Sequence, residues 1–404
     1  MPRAAGGTLL VLGADALRER AFAVWAREGR RILLADGVSA ARYDHLADEC
    51  FPLEVRDGEQ VDLDRLVALA RRSDGVTTLA DASLATAARV AAEAGVPGPG
   101  LHAAEVSRSK EAQRRLALEH GIPSPRAAAV RTRDDIEAFF DGAPGPAVLK
   151  PTDAAGSTAV HLVVDEHEAQ RLWPEVRTFS RSATGIVEDF VPGPEISVEA
   201  TVRDGAVVAA SVTRKETGGP TGFIEVQHTV RRNELPELVG LAERAIERLA
   251  AAWRVETAVM HVEYKVRPAE LVLIEGAVRP GGDLIPDVLA LARGRDLYGE
   301  QAALALGEEL AARADGRAAF AAVRFLVATG TVRRFVPPAS VLADLPLVDV
   351  ANQLVQPGRR LREVLGNWNR AAYALGHGAD LDDLQRSLVE ALSRLERALG
   401  VRSF

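Results

Sequence analysis

The chain has 404 residues, 47% of them hydrophobic and 26% charged, with a formal net charge of -8. That is the composition of a globular protein with room for two or three domains. The mild acidity and the lack of a basic tract interleaved with aromatics exclude an extended nucleic-acid surface and argue mainly for solubility. Cys50 is the single cysteine, so neither an intrachain disulfide nor a cysteine-based metal cluster is expected. No apolar run approaches a membrane span. The opening MPRAAGGTLLVLGAD lacks the layout of a signal peptide, its apolar run being only Leu9–Leu12. A cytoplasmic protein with no membrane partner is expected.

Up to Gly100, strand and helix patterns alternate. Strands are predicted at Thr8–Leu12, Arg31–Ala35 and Gly75–Leu79, and helices at Ala16–Glu28, Leu63–Arg71 and Ala82–Ala94. Together they imply a small parallel-sheet α/β domain. The first turn, Gly13-Ala14-Asp15, lacks the G-x-G-x-x-G fingerprint and gives no support to dinucleotide binding. The breaker Gly95-Val96-Pro97-Gly98-Pro99-Gly100 marks a boundary.

A helix over Ser109–His120 follows, with Lys110 in its first turn, where a cation opposes the helix dipole. Such a lysine either answers a nearby anion or is simply solvated. Pro144–Pro151 reads as a short strand ending at Lys150, Thr152–Thr158 as a loop of small residues, and Ala159–Val164 as the next strand. Backbone N–H groups of such a loop can close over phosphate oxygens while a lysine supplies a point charge. The order strand–loop–strand is not that of a Walker loop, and the same pattern suits an ordinary hairpin tip. Gly185–Val191 is a further strand, then Gly193 and Glu195. Backbone there suits an adenine edge and Glu195 suits ribose hydroxyls; an ordinary strand connection reads the same way.

The segment His261–Asp283 carries two acids inside apolar strands. Met260, Val262, Tyr264 and Val266 alternate with His261, Glu263 and Lys265, and after Arg267–Glu270 the run resumes to Glu275. A hairpin centred on Ala269 sets Glu263 opposite Glu275 on one face, with Val262, Tyr264, Val272 and Ile274 on the other. Like charges directly opposed are destabilising, so a cation is expected between them. A hard divalent ion such as Mg2+ suits oxygen ligands; Lys265 as counter-charge on a solvated face is the alternative. Arg279 follows, with Gly281-Gly282 permitting close backbone approach. Its guanidinium suits a carboxylate or phosphoryl group, or equally the neighbouring acids. After Gly316, strands near Ala319–Val327 and Ala371–Leu375 precede a final helix. Its stripe of leucines from Leu381 to Leu399, capped by Asp380, is core packing.

The order of these pieces resembles the ATP-grasp superfamily from about Ser107 to Gly307. It runs Lys110, Lys150-Pro151 with its small-residue loop, Glu188-Asp189-Phe190-Val191, Gly193-x-Glu195, Glu263, then Glu275-x-x-x-Arg279-x-Gly281-Gly282. Phe223–Thr229 and the Arg279–Asp283 ending resemble the carboxylate–amine ligases that join amino acids into dipeptides. The resemblance implies an α/β (α+β) ATP-grasp fold. Its parts would be an N-terminal Rossmann-like domain (1–104), a small subdomain (105–187), a large subdomain (188–312) and a C-terminal α/β region (313–404).

It also implies ATP and Mg2+ as cofactors, a carboxylate and an amine as small-molecule substrates, and a homodimer. Lys110, Lys150, Gly156 and Ser157 would contact phosphates. Glu188, Asp189, Phe190 and Val191 would line adenine, and Glu195 would hold ribose. Glu263 and Glu275 would hold the metal. Arg279, with Lys150, would act on the transferring group, and His228, Gly281 and Gly282 would meet substrate. Residues 153–158 and 216–222 would act as lids. One departure stands out: where the family often has a metal-ligating asparagine, this chain has Ala277. That leaves open a non-catalytic ATP-binding protein, and the C-terminal region, which resembles that of purine-pathway carboxylases, leaves open an enzyme of that type.

Overall fold

A computed structural model describes residues 6–37, 43–142, 145–312, 314–361 and 366–404. Pro144, with which one expected strand begins, and the first five residues lie outside them.

The N-terminal part is a parallel sheet of β1 (Thr8–Ala14), β2 (Arg31–Ala35), β3 (Glu49–Phe51) and β4 (Gly75–Leu79), in the order β3-β2-β1-β4. Leu9 and Val11 bury against one layer, Leu10 and Leu12 against the other. A parallel strand covered on both faces reads as an unbroken apolar run for this reason. Helices Glu19–Arg27, Leu63–Ala70 and Leu84–Ala94 pack around it. The first begins three residues later than the sequence predicts, after Leu17 turns through a left-handed backbone with φ of 62°.

A small antiparallel sheet follows, of β5 (Ala127–Val130), β6 (Ala147–Pro151), β7 (His161–Val163) and β8 (Gly185–Asp189), in the order β5-β8-β6-β7. Residues 152–160 are thus a hairpin loop between β6 and β7, the expected strand–loop–strand order. The boundary expected after residue 187 falls inside β8. Helix Lys110–Glu119 leads into this part; Ser109 caps it by accepting from the Ala112 N–H at 3.1 Å.

The large sheet is antiparallel and has ten strands: β9 (Glu195–Arg203), β10 (Ala206–Gly218), β11 (Ile224–Arg231), β12 (Ala258–Arg267), β13 (Glu270–Ala277), β14 (Phe320–Thr331), β15 (Val348–Gln353), β16 (Arg360–Leu361), β17 (Arg370–Gly378) and β18 (Arg402–Ser403). Its main order is β13-β12-β9-β10-β11-β14-β17-β15, so the chain after residue 312 continues the same sheet through the β11–β14 pairing. Helix Pro236–Ala252 covers one stretch, and Ile285–Arg293 another. The last helix, Leu381–Leu399, buries Leu384, Leu388, Leu392, Leu395 and Leu399; Asp380 caps it through the Asp383 N–H at 3.0 Å. No helix among the described residues is long and apolar enough to cross a membrane.

The β12–β13 hairpin sets Glu263 opposite Glu275, as its spacing predicts. Nearer the tip the register differs: Tyr264 pairs with Leu273 and Val266 with Leu271. An irregularity between Glu263 and Tyr264 leaves Ile274 without a partner and shifts the phase of β13. Leu271 and Leu273 therefore join Val262 and Tyr264 in the core, correcting the expectation that Val272 and Ile274 would share their face; Val272 is buried too, while Ile274 lines the cleft. Leu273→Ala should destabilise the protein by about 2–5 kcal/mol, whereas Ile274→Ala should cost about 1 kcal/mol or less. Urea melts of the two variants check this, and the reverse ranking would contradict the shifted register.

Candidate functional site

The three parts enclose a cleft of about 720 Å³. It is lined by Lys110, Lys150, Gly156, Ser157, Glu188, Asp189, Phe190, Val191, Glu195, Glu263, Glu275, Arg279 and Gly282. Residues far apart in sequence are brought together because β6, β8, β12, β13 and the helix Lys110–Glu119 all present one end or face to this space.

One wall is a buried charge cluster. Lys150 Nζ lies 2.7 Å from Glu188 Oε2, and Arg114 Nε donates to Glu188 Oε1 at 2.8 Å. Burial alone would raise the Glu188 carboxyl, but the charges of Arg114 and Lys150 outweigh it and hold it at about 2. Burial lowers the Lys150 ammonium, despite Glu188, and Arg114 and Lys110 add to the lowering. Arg114 sits one helical turn beyond Lys110, so both project toward the cleft. Lys110 Nζ donates to Glu275 Oε1 and to the Ala154 carbonyl, both at 2.8 Å.

Above this wall hangs the β6–β7 loop. Gly156, Ser157 and Ala159 all have positive φ, between 51° and 67°. Non-glycine residues seldom adopt that backbone, and it clusters at ligand clamps.

The opposite wall centres on Lys215, whose side chain is 1% exposed. Its Nζ lies 3.0 Å from Glu195, 2.5 Å from Glu225 and 2.5 Å from Glu263. Glu195 also meets Lys265 at 3.0 Å. His261 Nδ1 lies 2.6 Å from Glu199 Oε1, and its Nε2 3.3 Å from Glu263. Burial would lower the imidazole, but Glu199 and Glu263 raise it to about 10. The Glu263 carboxyl is held well below the usual range: burial raises it, yet Lys215 and His261 prevail. The opposed acids Glu263 and Glu275 thus each carry a cationic side chain. Two carboxylates facing one cleft fit magnesium, which takes few protein oxygens and completes its shell from phosphates and water.

Arg279 reaches the cleft, but its fork is engaged. Nε donates to Asp81 Oδ1 at 2.7 Å, the second nitrogen to Asp81 Oδ2, and Nη1 to the Pro280 carbonyl at 2.7 Å. Asp81 belongs to the N-terminal part, so this ion pair ties that part to the site. Two expected substrate contacts need correction. His228 does not line the cleft; it is fully buried behind Glu225 and Asp283, its Nε2 3.8 and 3.9 Å from their oxygens, with its edge on Phe325. A register shift between Glu216 and Thr217 lets Glu225 and His228 approach the same carboxylate. Gly281 also faces away: a Cβ there would meet His261 Nδ1 at 2.9 Å, so the glycine serves the His261–Glu199 pair.

The acids Glu225 and Asp283 and the cations Lys215, Arg114 and Arg370 form site features beyond the predicted set. Arg370 grips Asp283 with both terminal nitrogens and stacks on Phe325 at 3.9 Å. Glu225, His228 and Asp283 offer ligand atoms within 4.8 Å of one another. Lys215 and Arg370 already supply the positive charge there. His261 was legible, since strand alternation puts it on the face of Glu263. Lys215 had no local signal, because its partners come from three other strands.

Residues 143–287 match the family description "ATP-grasp domain". An uncharacterized protein, y4rH, of Sinorhizobium fredii is 29% identical over 292 residues, covering 69% of this chain and 58% of that one. The alanine–anticapsin ligase of Bacillus subtilis is 27% identical over 244 residues, covering 54% and 50%. The chain therefore spans about half the length of the curated relatives it matches. The crystal structure of an L-amino acid ligase from Bacillus licheniformis superposes with a TM-score of 0.80 at 18% identity, over 96% of this chain and 97% of that one. That likeness carries the fold through all three parts. The matched domain, the shared fold and the order of cleft residues agree: residues 143–287 carry an ATP-grasp domain, and the chain has the fold of an L-amino acid ligase to which it is similar.

Proposed function

We propose that the chain is an ATP-dependent carboxylate–amine ligase that joins two amino-acid-like substrates through an amide bond. The observation that carries this reading is that the β12–β13 hairpin sets Glu263 and Glu275 side by side in a cleft that also holds Lys110 and Lys150 beneath a left-handed Gly-Ser loop. Such a site suits a polyphosphate chain between lysines and acid-held magnesium. Bound there, magnesium would neutralise the phosphate oxygens between which charge moves.

The chain's own residues would do the rest. Lys150 and Lys110 would position the phosphates, and the 153–158 loop would exclude water. Backbone at Asp189–Val191 would take adenine and Glu195 the ribose. A substrate carboxylate oxygen attacks the γ-phosphorus as the bond to the ADP oxygen breaks, giving an acyl phosphate. An amine nitrogen then attacks the acyl carbon, the bond to phosphate breaks, and the nitrogen loses a proton. Arg279 would steady the carboxylate and the developing phosphoryl charge. Because Asp81 already occupies two nitrogens of its fork and the Pro280 carbonyl a third, Arg279 would act there through its charge and its remaining N–H groups. Relatives named as alanine–anticapsin ligase and L-amino acid ligase support an amino-acid-like substrate class.

The test is ADP release and ATP-dependent mass gain across amino-acid pairs. Turnover requiring both a carboxylate and an amine is expected. Dependence on bicarbonate would assign a carboxylase instead, and nucleotide binding with no ADP under any pairing would assign a silent binder. Glu275→Gln should lower ADP formation by about 100-fold or more while leaving the thermal melt near that of the parent. Turnover at the parent rate would remove the metal assignment. Ala277→Asn adds an oxygen ligand beside Glu275 and should tighten apparent magnesium affinity on the order of tenfold. An unchanged magnesium titration would show that Ala277 leaves no ligand gap.

A further inference from the structure

The C-terminal part sends one short segment, Gly366–Arg370, back into the cleft, and this segment touches both the phosphate-side loop and the acids opposite it. On the loop side, the Asn367 N–H donates to the Gly156 carbonyl at 2.9 Å. Trp368 Nε1 donates to Thr158 Oγ1 at 3.0 Å, and its indole lies against Gly156, where a Cβ would meet the ring at 3.4 Å. Gly366 approaches so closely that its own Cβ would lie 2.8 Å from the Gly156 carbonyl oxygen. On the acid side, the Asn367 side chain grips Glu225 twice. Its Oδ1 accepts from the Glu225 N–H at 3.2 Å and its Nδ2 donates to Glu225 Oε2 at 2.8 Å. Arg370 Nε holds the Asn367 carbonyl at 3.1 Å while its terminal nitrogens hold Asp283.

We propose that Asn367 and Trp368 form a latch that couples the position of the 156–158 loop to Glu225 at the opposite wall. Asn367 is the joint: its backbone fixes the loop and its amide fixes the acid, so neither can move alone. Trp368 is a positioning residue for the loop. Its side chain is otherwise solvent-facing, with 68% of its surface exposed, which suits a contact that opens and closes rather than a core anchor. The coupling rests on the proposed function only in taking the moving loop to cover a nucleotide.

Hydrogen–deuterium exchange on the full chain tests the latch without any turnover. In the absence of nucleotide, Trp368→Ala should speed exchange in residues 153–160 by about fivefold to tenfold, the effect of losing an ordinary hydrogen bond, whereas Asn367→Ala, which keeps its backbone N–H on the Gly156 carbonyl, should speed it less. Trp368→Phe, which keeps a ring against Gly156 but loses the donor, should fall between. Asn367→Ala alone should also speed exchange at residues 224–227. Parent-like exchange in both regions of both alanine variants would overturn the latch, whatever the chain binds. With a non-hydrolysable ATP analogue and Mg2+, the parent should gain protection at both 153–160 and 224–227. Asn367→Ala should keep the first and lose the second. Retention of both would overturn the coupling, and failure of the parent to bind the analogue would count against the proposed function instead.

Discussion

Three carboxylates from three strands converge on one buried ammonium. Glu195 on β9, Glu225 on β11 and Glu263 on β12 all lie within 3.0 Å of Lys215 on β10. Burying any one of these charges alone would cost several kcal/mol, and removing one partner of such a cluster leaves the others uncompensated. Burial would lower the Lys215 ammonium, but the three acids together raise it well above its usual value, so it stays charged. The placement of the acids is therefore a property of the sheet as a whole. β9 and β11 flank β10 directly, and β12 lies beyond β9. A shift in any of those pairings would strand a charge.

The same logic extends across the cleft. Glu188 is satisfied by Lys150 and Arg114, Glu275 by Lys110, Asp81 by Arg279 and Asp283 by Arg370. Two of these pairs bridge parts of the chain that fold around different cores. Asp81 comes from the N-terminal sheet and Arg370 from the C-terminal end of the large one. Ion pairs of this kind add little stability on balance. Their consequence is geometric: they fix how the three parts meet, and that meeting is the cleft.

Much of this was legible where the signal is local. The β1 run of leucines and valine, the leucine stripe of the last helix, the Asp380 cap and the Glu263–Glu275 facing all follow from periodicity or spacing within one element or one hairpin. What escaped has a common cause. The bulge at Ile274 lies in the unbroken apolar run Leu271–Ile274, which carries no alternation to fix the phase of β13. His228 was expected at the substrate only through the resemblance of Phe223–Thr229 to amino-acid ligases, yet Glu225 and Asp283 stand between it and the cleft. Lys215, Asp81 and the Asn367–Trp368 segment find their partners on other elements, from 10 to some 210 residues away, and no pattern in one stretch can announce them. The continuity of the large sheet past residue 312 was hidden for the same reason: β14 joins β11 across three helices and the whole β12–β13 hairpin.

The paired lysines also bear on Ala277. On the reading proposed above, a polyphosphate entering the cleft would offer Lys110 and Lys150 stronger acceptors than the carboxylates they now hold. Glu275 would then be free to face magnesium, its present ammonium partner having moved to the phosphates. Glu263 differs, because Lys215 is fully buried and shared by two further acids, so it has no route to follow the nucleotide. One opposed acid is thus exchangeable and the other stays next to a fixed cation. A second divalent ion beside Glu263 would meet the charge of Lys215 at close range and find no asparagine oxygen at residue 277. On that reading Glu275 would be the freer ligand for magnesium, while the Lys215 ammonium stays fixed beside Glu263.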